Sequence, residues 1–266
     1  MKQEKTKYEL DLIEFHIVEH CNLNCKGCIH FTPLADKSCI KISDYKSDIK
    51  KMAEITKGSV KTINILGGEP LLHPQLLKLL KIARQYFPKS EIRLISNGIL
   101  VLQQKETFWK ALQNYNIHLS ITRYPLDINY QQISHLTKKY NIRYTFYAPN
   151  KENSQWHFPI DLKGEQNPID SFNNCRDGNN CTNINICNGK LYICPIVENI
   201  RYFNKYFDKN IPVTEEDFLN VKEIKNVDEI KQFISKPSPF CRFCNIPDRT
   251  FDNKWDVSKK DISEWV

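Results

Sequence analysis

The chain of 266 residues lacks any long hydrophobic run. No apolar stretch approaches the roughly 18 to 20 residues that a membrane-spanning helix requires. The opening segment MKQEKTKYELD has no apolar stretch of the signal-peptide type, and internal repeats and low-complexity linkers are absent. These absences predict a soluble, cytoplasmic protein without a membrane partner.

Basic residues are not concentrated in any segment. The formal net charge is +7, yet no basic run exceeds pairs such as Lys50-Lys51 and Lys138-Lys139. Scattered charge is typical of a solvated surface and not of a nucleic-acid interface, so we predict no nucleic-acid partner. The composition of 41% hydrophobic and 26% charged residues is ordinary for a globular protein and excludes wholesale disorder.

Cysteine is absent between residues 40 and 174, although the chain contains ten cysteines. A cytosolic chain keeps its thiols reduced, so metal binding explains this number better than disulfides do. The spacing predicts two metal regions that flank a metal-free scaffold. The ten are Cys21, Cys25, Cys28, Cys39, Cys175, Cys181, Cys187, Cys194, Cys241 and Cys244.

Strand and helix patterns alternate through the first 150 residues. Apolar, β-branched runs predict strands at Leu12–Val18, Val60–Leu66, Ile92–Ile95, Ile117–Ile121 and Ile142–Phe146. Helical spacing predicts helices at Ser43–Thr56 with a Ser43 cap, Pro74–Phe87, Lys105–Tyr115 and Tyr130–Tyr140. This order predicts the α/β class, with a parallel sheet that is open or curled toward a partial (β/α) barrel.

The texture changes after about Pro149 to a loop-rich region that contains six of the cysteines. Only a short hairpin strand at Lys190–Ile193 and a helix at Val227–Ile234 are indicated there. The terminal segment from Trp255 to Trp265 is predicted to pack as core over this region. We therefore divide the chain into a core at 1–155 and a small module at 156–266.

Three cysteines follow the first predicted strand within eight residues. Cys21, Cys25 and Cys28 can bind three irons of a 4Fe-4S cluster and leave the fourth iron open to an exogenous chelator. Structural zinc normally has four protein ligands, and His20 or His30 could supply the fourth. The spacing alone leaves both metals open.

The C-x3-C-x2-C spacing at that position resembles the radical S-adenosylmethionine (SAM) superfamily. Gly67-Gly68-Glu69-Pro70 follows the second predicted strand, where that superfamily has its GGEP motif. The resemblance implies backbone and carboxylate contacts to the ammonium group of SAM, which makes Glu69 the candidate catalytic residue. Glycine lets a backbone approach a ligand closely, and a carboxylate accepts hydrogen bonds from a cation.

Two later strand ends fit the same family pattern. Ser96 and Asn97 resemble the segment that lines the SAM ribose, and Ser120 and Arg123 end the fourth strand, where ribose and carboxylate contacts are common. In one departure, Gly27 stands where the superfamily usually has an aromatic residue packed on adenine. Residues 29–31, Phe31 among them, are the candidates to supply that wall instead.

The late cysteines resemble the Twitch module, a shorter relative of SPASM domains that binds one auxiliary 4Fe-4S cluster. The pattern C-x13-G-x4-C followed by C-x2-C selects Cys175, Cys194, Cys241 and Cys244, with Cys181 as a rival to Cys175. A zinc site is the alternative that this residue pattern alone permits. Cys39 has no partner by spacing and is expected to be a small buried hydrophobe.

The resemblance implies reductive cleavage of SAM to a 5′-deoxyadenosyl radical that abstracts hydrogen from a substrate. Similarity to aminocyclitol dehydrogenases with a short core and a Twitch module implies dehydrogenation or epimerisation of a sugar, cyclitol or nucleotide. A reductant such as flavodoxin or ferredoxin is the expected protein partner. Peptide modification is an alternative, although only 20 residues precede Cys21; a non-catalytic zinc or iron-sulfur binding module is another.

Overall fold

The computed structural model describes residues 8–147, 154–175 and 183–266, without the side chains of residues 154–156, 183 and 251–253. The strands are β1 Leu10–Val18, β2 Val60–Gly67, β3 Glu91–Ser96, β4 Ile117–Thr122, β5 Tyr144–Tyr147, β6 Ser154–His157, β7 Asn183–Cys187, β8 Lys190–Tyr192, β9 Leu219–Asn220 and β10 Thr250–Lys254. The α-helices are α1 Ile42–Thr56, α2 Leu76–Tyr86, α3 Glu106–Asn114, α4 Tyr130–Lys139, α5 Pro168–Asn174, α6 Pro195–Phe207 and α7 Val227–Ile234.

One sheet of eight strands joins the two ends of the described chain. Its order is β5-β4-β3-β2-β1-β7-β8-β9, and the strands from β5 to β7 run parallel to their neighbours. Strands β8 and β9 add antiparallel, while β6 and β10 form a separate antiparallel pair. The predicted α/β class with a parallel sheet is confirmed.

The helices cover one face of this sheet. Alternation along β1 directs Ile13, Phe15 and Ile17 to a single buried core that also contains residues of α1. Phe15 and Tyr45 meet edge to face, with ring centroids 5.5 Å apart. Burial of such apolar side chains contributes roughly 25 cal/mol per Å², which makes this layer the main source of stability.

The opposite face of the sheet is polar. The register aligns Glu14 of β1 with Asn64 of β2 and Asn185 of β7, and it aligns Asn64 with Arg93 of β3. His118 of β4 lies opposite Arg93 and continues the row. Four strand crossings thus carry polar side chains at one level of the sheet, which is unusual for a merely structural face.

A second apolar cluster joins the segment after β1 to helix α6 and the C-terminus. Phe31, Phe203 and Trp265 are each at most 2% exposed, and the Phe31 ring lies 5.8 Å from Phe203 and 6.0 Å from Trp265. The chain termini of the fold therefore contribute to one packed unit. No helix in the described ranges has the length and apolar character needed to cross a membrane.

Most expected elements are present, with two differences. Lys41, not Ser43, precedes α1 as its N-cap, and the Ser43 hydroxyl donates to Asp44, so the predicted Ser43 cap is wrong. Helix α6 was not anticipated, because it is buried on several sides and carries Glu198 and Asn199 among its buried residues. Such a helix shows no clean amphipathic period.

Candidate cofactor site

The three early cysteines lie in the loop that follows β1. Backbone hydrogen bonds from Cys28 to Cys25 (3.3 Å) and from Phe31 to Cys28 (2.9 Å) wind this loop tightly. Burial raises the pKa of the Cys25 thiol to about 12, and the neighbouring Cys28 and Cys21 thiols raise it further. The three sulfurs are therefore close enough to interact electrostatically.

The Cys28 thiol behaves differently from the other two. Burial alone would raise its pKa, but hydrogen bonds and charge from His30, together with Thr32, lower it to about 7. The Cys21 pKa is raised to about 11, again mainly by burial. Thiols this buried become good ligands only beside a positive charge, which a bound metal centre supplies.

A cubane fits this donor set better than a single ion does. Within the described ranges, no three His, Cys, Asp or Glu side chains converge as ligands of one ion. In an iron-sulfur cluster each thiolate binds its own iron, so the sulfurs need to surround a volume and not a point. Three thiols on one short loop meet that requirement.

Gly67 and Gly68 bring the end of β2 against the cysteine loop. A Cβ at Gly67 would overlap the backbone of Val18, and one at Gly68 would overlap the carbonyl group of His20. The Gly68 amide donates to the Val18 carbonyl at 2.6 Å, and the Glu69 amide donates to the His20 carbonyl at 3.0 Å. The two glycines thus permit a close backbone crossing beside the three cysteines.

Glu69 is fully buried and links two strand-end loops. Its Oε1 accepts from the Leu71 amide (3.0 Å) and the Ser96 hydroxyl (2.9 Å), and its Oε2 accepts from the Asn97 amide (2.8 Å). Burial raises the Glu69 pKa to about 7, and these hydrogen bonds oppose the increase. A cation bound nearby would favour the charged carboxylate.

Asn97 completes a connection back to the cysteine loop. Its Nδ2 donates to Asn22 Oδ1 at 2.8 Å and lies 3.5 Å from Cys21 Sγ. The strand ends of β1, β2 and β3 are therefore joined by side-chain hydrogen bonds, as expected for neighbouring parallel strands. The structure brings together Cys21, Glu69, Ser96 and Asn97.

The remaining predicted SAM contacts occupy varied surroundings. Ser120 is half-buried on β4, on the polar face of the sheet. The Arg123 guanidinium stacks over the rings of Tyr130 (4.9 Å) and Phe146 (4.6 Å). Phe31 is buried in the second apolar cluster. Their contacts to SAM stay predictions.

The C-terminal tail, residues 255–266, lies against the cysteine loop. The Lys26 amide donates to the Asp256 carbonyl (2.9 Å), and the Ser258 amide donates to the Asn24 carbonyl (2.8 Å). Cys25 and Val257 form an antiparallel bridge. The sequence predicted a packed tail, but nothing in its pattern indicated that the partner would be the first cysteine motif more than 200 residues earlier.

A buried polar network behind Cys28 was also missed. His30 hydrogen-bonds the Cys28 thiol and stacks on His16 with ring centroids 5.0 Å apart. His16 bonds Asn185 through Nε2 (3.1 Å), and its Nδ1 lies 3.1 Å from Glu198. Burial lowers the pKa of His16 and raises that of Glu198, which favours a neutral pair. An interior His on β1 was the only sequence signal.

Four late cysteines line one pocket. It encloses about 410 Å³ of empty space, part of it open to solvent, and its lining includes Cys175, Cys194, Cys241 and Cys244. Burial raises the pKa of Cys241 to about 11 and that of Cys244 to about 12. Arg249 donates to Cys175 Sγ at 3.4 Å and brings a positive charge to the pocket.

The other late cysteines do not line this pocket. Cys187 is buried elsewhere and hydrogen-bonds Glu19 at 3.3 Å. Cys181 lies outside the described residues. Cys39 is partly buried against the main core and bridges to Val18.

Comparison with known proteins assigns the first part of the chain. Residues 15–145 match the sequence model of the Radical SAM superfamily. The chain is 29% identical over 111 residues to GTP 3′,8-cyclase of Petrotoga mobilis, covering 41% of this chain and 34% of that protein. It is 33% identical over 94 residues to the S-adenosylmethionine-dependent nucleotide dehydratase of Selenomonas ruminantium, covering 35% and 32% respectively. The chain thus spans about a third of the length of these curated relatives.

Solved structures agree on the fold. The crystal structure of BtrN in complex with AdoMet and 2-DOIA superposes with a TM-score of 0.57 at 14% identity, covering 89% of this chain and 93% of that one. The open conformation of BtrN gives 0.51, with coverage of 92% and 94%. The likeness establishes a partial (β/α) barrel, and residues 15–145 of this chain form a radical SAM superfamily domain.

Proposed function

We propose that the chain is a radical SAM enzyme whose first cluster, a 4Fe-4S cubane, is held by Cys21, Cys25 and Cys28. The observation that carries this proposal is the cysteine loop packed against Gly68 and Glu69 inside a radical SAM domain. When bound, such a cluster supplies the electron that splits SAM and so generates the radical that abstracts hydrogen.

The chain's own residues position SAM in this proposal. Gly67 and Gly68 hold the second strand end against the loop, and Glu69 would present its charge to the SAM ammonium group. Glu69 is kept in place by the Ser96 and Asn97 donors. Ser96, Asn97, Ser120 and Arg123 would line the rest of the site, with Phe31 as the candidate adenine wall.

We infer that the late cysteines hold an auxiliary 4Fe-4S cluster in a module that covers residues 156–266. The common pocket of Cys175, Cys194, Cys241 and Cys244 supports this ligand set, since the four thiols surround an empty volume with apolar walls. Arg249 would offset part of the negative charge that a cluster with four thiolates carries.

The proposed substrate is a small polar metabolite, such as a sugar, cyclitol or nucleotide. The polar face of the sheet supports this class. In the described part of the chain, Asn64 Oδ1 and Arg93 Nε are buried without hydrogen-bond partners, while Asn64 Nδ2 is fixed by its bond to Glu14 (2.8 Å). An acceptor and a donor on adjacent strands suit a hydroxyl group, which can satisfy both.

The relatives' names extend the same class. The cyclase is named for GTP and the dehydratase for a nucleotide, and the BtrN complex holds 2-DOIA. With an auxiliary cluster to accept the second electron, dehydrogenation is the proposed outcome, with epimerisation as its redox-neutral counterpart. Flavodoxin or ferredoxin is the proposed reductant, and the cytoplasm is the proposed location.

The test starts with anaerobic purification and a count of iron and sulfide per chain. Two clusters predict about eight irons. Dithionite and SAM should then yield 5′-deoxyadenosine. Cys25→Ala should abolish this product while the matched variant Cys39→Ala retains it. Zinc in place of iron, or product from Cys25→Ala, would contradict the proposal and favour a metal-stabilised binding module.

The substrate class has its own test. Candidate polyols and nucleotides are offered to the loaded enzyme, and a peptide library serves as the competing class. Asn64→Leu should impair turnover of the true substrate while substrate-independent 5′-deoxyadenosine formation persists. Turnover of peptides alone would overturn the assignment and point to peptide modification.

A further inference from the structure

Cys25 receives two hydrogen bonds from aromatic side chains. The indole Nε1 of Trp255 donates to Cys25 Sγ at 3.2 Å, and the Tyr124 hydroxyl hydrogen-bonds the same thiol. The Trp255 and Tyr124 rings pack together with centroids 5.7 Å apart. One donor comes from the C-terminal tail and the other from the segment that follows β4, so the contact depends on tertiary structure.

The tail that carries Trp255 is fixed at its far end. Trp265 is 2% exposed, and its ring lies 6.0 Å from Phe31 and 5.9 Å from Phe207. Its indole Nε1 donates to the Cys28 carbonyl at 3.0 Å. The tail is thus anchored beside the cysteine loop both by its Trp265 end and by its backbone bridge to Cys25.

We propose that Trp255 and Tyr124 are positioning residues that raise the reduction potential of the cluster bound through Cys25. This inference rests on the proposed function, since it requires a cluster at that loop. A reduced cluster carries one more negative charge than the oxidised one. Donors aimed at a ligating sulfur stabilise the more negative state more strongly, which favours reduction.

The experiment is a redox titration followed by electron paramagnetic resonance. The signal of the first cluster is identified by its change on SAM addition. Trp255→Phe and Tyr124→Phe should each make reduction about tenfold less favourable, a shift of about 59 mV to more negative potential for a one-electron couple. The control is Trp109→Phe, which removes an indole that stacks on Tyr140.

Iron content separates the possible failures. Both donor variants should keep the iron content of the wild type, because neither residue is proposed as a ligand. Normal loading with unchanged potentials in both variants would overturn this inference alone. A wild-type chain that takes up no iron would overturn the proposed function together with it.

Discussion

At the scale of single residues, Gly68 is the position where a methyl group should be most harmful. Its Cβ would overlap the His20 carbonyl, which belongs to the backbone and cannot rotate away. We expect Gly68→Ala to cost about 1–3 kcal/mol in the free energy of unfolding. Because the shift would displace His20 and the adjacent Cys21, we also expect loss of iron from the first site. Urea denaturation and an iron count measure both effects.

Gly58→Ala is the matched control for this substitution. Gly58 has φ +68°, and the nearest atom to an added Cβ is the Tyr86 carbonyl oxygen at 3.8 Å. It should cost about 1–2 kcal/mol for the left-handed backbone and leave the iron content intact. Equal iron loss in the two variants would mean that the overlap with His20 is not what matters.

The residues of the first site divide into those a motif reveals and those it conceals. Cys21 and Glu69 are recognisable from local spacing, because each stands at a fixed offset from a predicted strand. Trp255 and Glu198 are not, because their contacts cross more than 180 residues of chain. No local pattern encodes a contact that arises only when distant elements pack.

At the scale of elements, Asp48 links helix α1 to the turn between β7 and β8. It is 2% exposed, and its Oδ2 accepts from the Gly189 amide at 3.1 Å. Burial raises its pKa from 3.8 to about 6, and the Gly189 hydrogen bond and the charge of Lys222 partly oppose this. The folded state therefore keeps a proton that the unfolded chain has already released.

The consequence is a loss of stability with rising pH. From about pH 4 to pH 6 the unfolded chain binds fewer protons than the folded one at this site, so the free energy of unfolding falls. Asp48→Asn retains an acceptor without the charge. Relative to the wild type it should gain up to about 3 kcal/mol across that window.

Urea titrations at several pH values test this expectation. Asp44→Asn, at an exposed position on the same helix, serves as the control. A constant difference between Asp48→Asn and the wild type over the whole range would contradict the assigned role of Asp48.

Elements differ in how well the sequence predicts them. The helices on the outer face show a clear apolar stripe, so α1 to α4 follow from spacing, with boundaries that differ by a few residues. Helix α6 lacks this stripe because it lies between the polar network and the second apolar cluster. Periodicity indicates one buried face, and a helix buried on several faces is therefore missed.

At the scale of the whole molecule, the two cysteine regions share one sheet. Strand β1, which precedes the first cysteines, pairs with β2 and also with β7. Helix α6 begins directly after Cys194 and packs against the segment that follows β1 through Phe203 and Phe31. Because no weak boundary separates the regions, we expect the described chain to unfold as one cooperative unit.

Cys194→Ser tests this coupling and the auxiliary site together. The iron content should fall from about eight to about four per chain, since one lost ligand destabilises one cluster. The melting temperature should fall in a single transition, because the loss of metal binding energy is shared by the whole sheet. Circular dichroism in the near and far ultraviolet should give coincident curves. Cys187→Ser, which alters a buried thiol outside the pocket, should keep the iron content; two separate transitions in Cys194→Ser would show that the regions fold independently.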